Sequence, residues 1–166
     1  MYRFALYAAV VIVGLGACAN PDFLLPRPEG DVIPVTRLRV EPYTFTYNSG
    51  LTDSARIVVQ DANTWAATWT AIWSRHSPQP ALPTIDFSQE MLVVAALGTR
   101  SSGGYGIFVD SAYQRADHIE VVIRKVSPGS RCIVTAALSE PVDIARLPRS
   151  SQPVRYRERS VVHNCD

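Results

Sequence analysis

The sequence predicts a mainly β domain of the α+β class, a compact antiparallel β-rich sandwich or barrel-like fold with one tryptophan-rich helix packed on it. Three observations predict it. Short apolar, β-branched runs recur between turn residues, one stretch alone switches to helical spacing, and no apolar run approaches the roughly 20 residues of a membrane helix.

The elements follow in order. Thr44-Phe45-Thr46-Tyr47 alternates and ends at the turn signal Asn48-Ser49-Gly50, and residues 55–60 are β-branched and stop at Asp61, so both read as strands. Asp61-Ala62-Asn63-Thr64 offers capping oxygens. Trp65, Trp69, Ile72 and Trp73 then fall at offsets 0, 4, 7 and 8, which lays all three tryptophans on one stripe of a helix about three turns long that ends by Pro78. Stacking on a ligand is one role for such a stripe; packing on a sheet is the commoner one and the one expected here. Residues 91–97, 105–110, 118–126, 132–138 and 154–162 complete the strands.

Composition bounds the function. With 166 residues, 47% hydrophobic and 19% charged, the chain has enough apolar side chain for one folded core. A net charge of +1 gives no nucleic-acid footprint. Fifteen of the 16 cations are arginine and Lys125 is the only lysine, which excludes Walker-type phosphate loops.

Arg3 leads into twelve mostly apolar residues, 4–15, and then Gly16-Ala17-Cys18. At 1.5 Å per residue the run covers roughly 18 Å, well short of a hydrocarbon core of about 30 Å, so it reads as a signal peptide with a lipobox rather than as a membrane anchor. Residues 1–17 are the expected signal, and the Cys18 thiol is the expected point of lipid attachment. Ala19 follows where an aspartate would retain a bacterial lipoprotein at the inner membrane, so the expected address is the cell envelope at the outer membrane, on its periplasmic face or the surface. Pro21, Pro26, Pro28, Gly30 and Pro34 disfavour regular structure, and residues 18–36 are read as a lipidated proline-rich tether, followed by a β-rich domain over 37–166.

Once Cys18 is lipidated, Cys132 and Cys165 remain, and export to an oxidising compartment predicts a disulfide between them, with a reactive thiol or metal ligand as the alternative. His76, His118 and His163 share no ligand spacing, so no metal is assigned. Cofactors and catalytic residues are likewise unassigned. Residues 98–103 are one residue too long for a nucleophile elbow and lead into a strand, and Gly104-Tyr105-Gly106 lacks the third glycine and the helix of a dinucleotide fingerprint. The five arginines from Arg146 to Arg159 suit an anionic polymer, yet Arg155, Arg157 and Arg159 alternate with Tyr156 and Glu158, as on the solvated face of an edge strand.

One segment is distinctive. A hydrophobic strand delivers Gly98-Thr99-Arg100-Ser101-Ser102-Gly103-Gly104-Tyr105, a loop with a forked donor near its start and an aromatic at its end. Arg100, Ser101, Ser102, Gly103, Gly104 and Tyr105 are the candidate partner-binding residues. The alternative is a tight β-connection whose glycines serve geometry alone, with Arg100 paired internally.

That loop, with Asp86-Phe87-Ser88 before it, the tryptophan helix, Pro128-Gly129-Ser130-Arg131-Cys132, Pro141-Val142 and Cys165, resembles the protease complex subunit PrcB family over about residues 50–166. The resemblance implies a non-catalytic envelope protein with a protein partner, the type member being a lipoprotein that accompanies a surface protease complex. The loop is also similar in shape to the substrate-cleft loop of chagasin-like peptidase inhibitors, without the Asn-Pro that precedes it there. Accessory subunit, peptidase inhibitor and envelope hydrolase are thus the three function classes to separate.

Overall fold

The Asp61 carboxylate accepts the Thr64 N–H at 2.8 Å and caps a helix at its first turn, as its position before the tryptophan stripe predicts. The computed structural model describes residues 30–40 and 47–165. Within them eight strands and one helix run in the order β1 (Asp31–Ile33), β2 (Thr36–Arg37), β3 (Ala55–Val59), α1 (Ala62–Ile72), β4 (Glu90–Ala96), β5 (Gly106–Gln114), β6 (Ile119–Pro128), β7 (Val142–Pro148) and β8 (Val154–His163). They form two four-stranded sheets, ordered β1-β5-β6-β8 and β2-β7-β4-β3, stacked as a sandwich.

Alternation builds the core between the sheets. Met91, Val93 and Ala95 of β4 face Ile119, Val121 and Ile123 of β6, with Ala145 and Leu147 of β7 beside them, all buried. The other face of β4 is also covered: Leu92, Val94 and Ala96 pack with Ile144 against Trp65, Trp69, Ile72 and Trp73 of the helix end and stripe. The stripe is therefore core, each tryptophan being at most 3% exposed. The rings form a ladder, with centroids 5.1 Å apart for Trp65 and Trp69 and 5.4 Å for Trp69 and Trp73. Their indoles also hold the chain that returns from the helix, Trp65 Nε1 donating to the Pro83 carbonyl at 2.9 Å and Trp69 Nε1 to that of Pro80 at 3.0 Å.

Four expectations change. Residues 132–138 are not a strand: their β-branched composition suits one, but they carry the chain from β6 in one sheet towards β7 in the other, and Ile133 and Leu138 are exposed. The strand in this region is β7, obscured in the sequence because its inward-facing Asp143 breaks the apolar alternation. Pairing is antiparallel throughout the named strands except between β6 and β8, which run parallel because β7 crosses to the other sheet between them. Finally, β1 and the first residue of β2 lie inside the stretch whose prolines predict no regular structure; Pro34 sits between them, outside both ladders. The strand expected at 44–47 falls outside the described residues except for Tyr47, as do the signal segment, Cys18 and the rest of the tether.

Asp143 explains how a buried carboxylate is tolerated there. A bulge in β5 shifts the register between Val109 and Ser111, and the Val109 N–H beside it donates to Asp143 Oδ2 at 2.7 Å, while Arg37 Nε donates to the same oxygen at 3.2 Å. Burial still wins and holds this carboxyl above its usual range.

The outer face of the β1-β5-β6-β8 sheet is laced by charge. Arg124 and Arg159, neighbours in register, both donate to Asp110; Arg115 and Arg157 share Glu120; Arg155 reaches Asp117. The alternating arginines are thus the solvated face of an edge strand, each matched with an acid. For Asp110 and Glu120 burial opposes ionisation, but these arginines outweigh it and hold both below the usual range. Arg146 does the same for Glu90.

A pH dependence follows from these signs. A depressed acid contributes stability that is complete above its unfolded value, 3.8 for Asp and 4.5 for Glu, and that is lost as the pH falls through its lower folded value. Asp143 acts oppositely, costing stability when ionised and relieving that cost in acid. With Asp110, Glu120 and Glu90 set against Asp143, the melting temperature is expected to hold from pH 7 to about 5 and to fall below that. Calorimetry across this range should show a shallower acid limb for Asp110→Asn than for the wild type.

Candidate functional site

The loop after β4 is built by its glycines and tied by its neighbours. Gly98 adopts φ +75°, and a Cβ there would stand 2.8 Å from the Ser54 nitrogen, so only glycine lets the chain leave β4 past residues 52–54. Thr99 then donates its N–H to the Thr52 carbonyl at 2.9 Å. Arg100 forms a two-way backbone bridge with Ser139, at 2.8 and 3.1 Å, and its guanidinium donates to the Leu97 carbonyl at 2.7 Å. Gly103 donates to the Thr135 carbonyl at 3.0 Å, and Ser139 Oγ donates to the Ser102 carbonyl at 2.7 Å. Gly104, at φ +84°, passes close to Val134 and Pro128.

The structure therefore brings all six predicted residues together and divides their tasks. Arg100 pairs internally and Ser102 and Gly103 hold the loop to residues 135–139, while Ser101 and Gly104 are exposed and Tyr105 is half-buried against the inter-sheet core. Cys132 and Cys165 form the expected disulfide, with Cα atoms 5.0 Å apart. It closes the base of the 132–138 segment on which the loop rests and ties that base to the end of β8. Ile133, Val134 and Leu138 stand exposed on that segment, and Val161 and Val162 on β8.

Two features escaped the reading of the sequence. The first is a cleft of about 220 Å³ beside the loop, where Leu97, Arg100 and Tyr105 meet Lys125 and Val126 of β6 and Ser160 of β8. Lys125 continues the inward parity of Ile119, Val121 and Ile123, which is the signal that points to it. Glu158, inward on β8, takes Lys125 Nζ at 2.9 Å and Arg56 of β3 at 2.6 Å, closing the seam between the edge strands of the two sheets. Burial opposes its ionisation, and the two cations overcome this and keep it below its usual range.

The second is Glu140, 1% exposed, between the loop and the end of the helix. Its Oε1 takes Arg75 at 3.0 Å and the Thr99 hydroxyl at 3.3 Å, and its backbone carbonyl takes Ser49 Oγ at 2.9 Å. Residues 47–51, 98–100 and 139–141 are thereby fastened at one point. Among the described residues no group of three or more His, Cys, Asp or Glu side chains is placed to hold a metal ion, and no helix is long and apolar enough to cross a membrane.

Neither the curated proteins nor the solved structures contain a match to the chain. A family model described as PrcB C-terminal matches residues 91–148, about a third of the chain and less than the 50–166 over which the resemblance was read. The matched segment runs from β4 through β7 and so contains the whole 98–105 loop, Lys125 and Glu140. Over this segment the chain is similar to the PrcB C-terminal family.

Proposed function

We propose that the protein is a non-catalytic accessory subunit of an exported protease complex, anchored in the bacterial envelope by lipid on Cys18 and meeting its protein partner through the 98–105 loop. The match to PrcB C-terminal carries the reading, because the family is that of a protease complex subunit and the match encloses the loop. The exposure of Ser101 and Gly104 on a loop otherwise fastened by backbone hydrogen bonds supports it, since a fixed loop loses little freedom on binding.

The test co-expresses the full-length protein with each exported protease of the same genome in turn. An accessory subunit raises the yield or lifetime of the active protease and cleaves no peptide alone; an inhibitor lowers protease activity in proportion to its concentration; a hydrolase turns over substrate unaided. Ser101→Tyr, which crowds the exposed tip without touching the fastening contacts, should weaken association by about 1–3 kcal/mol with the melting temperature unchanged. Cys18→Ser should move the protein from the membrane to the soluble fraction.

A further inference from the structure

The cleft beside the loop combines three chemical characters in one place. Its apolar lining includes Leu97 and Tyr105. It is cationic: Arg100 and Lys125 line it, Arg56 stands behind Glu158, and Glu158 is the one acid among these four, so the group carries two positive charges in excess. Among the described residues Arg100 has no carboxylate within ion-pairing distance, and its guanidinium donates to the Leu97 carbonyl. The third character is an open strand edge. Ser160 belongs to β8, which among the described residues pairs with β6 on one side and ends the sheet on the other, an edge at which main-chain groups can take an added strand.

At about 220 Å³ the cleft is smaller than the roughly 300–1,000 Å³ of sites that enclose whole small molecules. It fits one group with a tail that leaves it. An anion, an apolar side chain and an extended main chain occur together at the end of a polypeptide.

We infer that this cleft binds the C-terminal residue of an extended peptide, with its carboxylate between Arg100 and Lys125, its apolar side chain on Leu97 and Tyr105, and its main chain continuing along the edge of β8. The inference deepens the accessory-subunit reading and rests on it for the source of the peptide, an exposed chain end of the protease partner. Such an end occurs once per partner chain, which would fix the stoichiometry of the assembly.

The probe is a set of fluorescein-labelled hexapeptides ending in Ala, Val or Leu, each as free acid and as C-terminal amide, titrated by fluorescence polarisation against the full-length protein in detergent. The Val and Leu acids are expected to bind at least tenfold more tightly than their amides. Lys125→Met and Arg100→Gln should each erase most of that difference, whereas Arg159→Gln, on the outer face, should leave it intact. Lys125→Met serves where Arg100→Gln disturbs the loop through its bond to Leu97. Equal binding of acid and amide overturns the inference, as does an amide with an internal Asp that binds as well as the acids, and so does absence of binding by all. None of these results touches the co-expression experiment, which alone decides the accessory role.

Discussion

Trp69→Ala is expected to lower the unfolding free energy by about 3–5 kcal/mol, the largest loss for any single side chain of the helix. Trp69 is the middle rung of the aromatic ladder, 3% exposed, in contact with both other tryptophans. Truncation opens a cavity against β4 and β7, and it also strands the Pro80 carbonyl that the indole N–H satisfied. Trp69→Phe separates the two parts, refilling most of the volume without restoring the donor, and should recover more than half the loss. Urea unfolding measures both. A loss under 1 kcal/mol for the alanine variant would show that this face is not core.

Removing the disulfide should cost about 2–5 kcal/mol. The bond closes a loop of about 34 residues, for which chain entropy alone predicts roughly 3.7 kcal/mol. The double change Cys132→Ala with Cys165→Ala avoids a stray thiol, and chemical unfolding with and without reductant provides an independent comparison. A second effect is local: the 132–138 segment accepts the Gly103 N–H, so loosening its base should raise amide exchange at Gly103 and weaken peptide binding beside it. Wild-type stability that reductant leaves unchanged would contradict the assignment.

The sequence carried the helix and most strands because their signals are local. A capping aspartate, tryptophans at 0, 4 and 8, and β-branched runs bounded by turn residues each act within a dozen residues. What it hid was set by distant partners. Asp143 looks like a strand breaker until the bulge in β5 supplies its donor, 34 positions away. Residues 132–138 look like a strand because nothing in them reveals that the chain is changing sheets. The candidate site divides in the same way. The loop was legible from its glycines, whereas the cleft depends on bringing Lys125 and Ser160 into register across a parallel pair and could not be read from either segment alone.

The burial of β4 on both faces bears on where this domain can be cut. The segment similar to PrcB C-terminal begins at Met91 and ends at Pro148, which keeps four strands and discards the helix, β1, β2, β3 and β8. Leu92, Val94 and Ile144 would then face water, and β6 would lose its outer neighbour. The matched segment is thus smaller than the set of elements that shields β4 on both faces. A fragment trimmed to the matched residues should aggregate, while one that starts at Gly30 and runs past Cys165 retains every layer that shields the central strand.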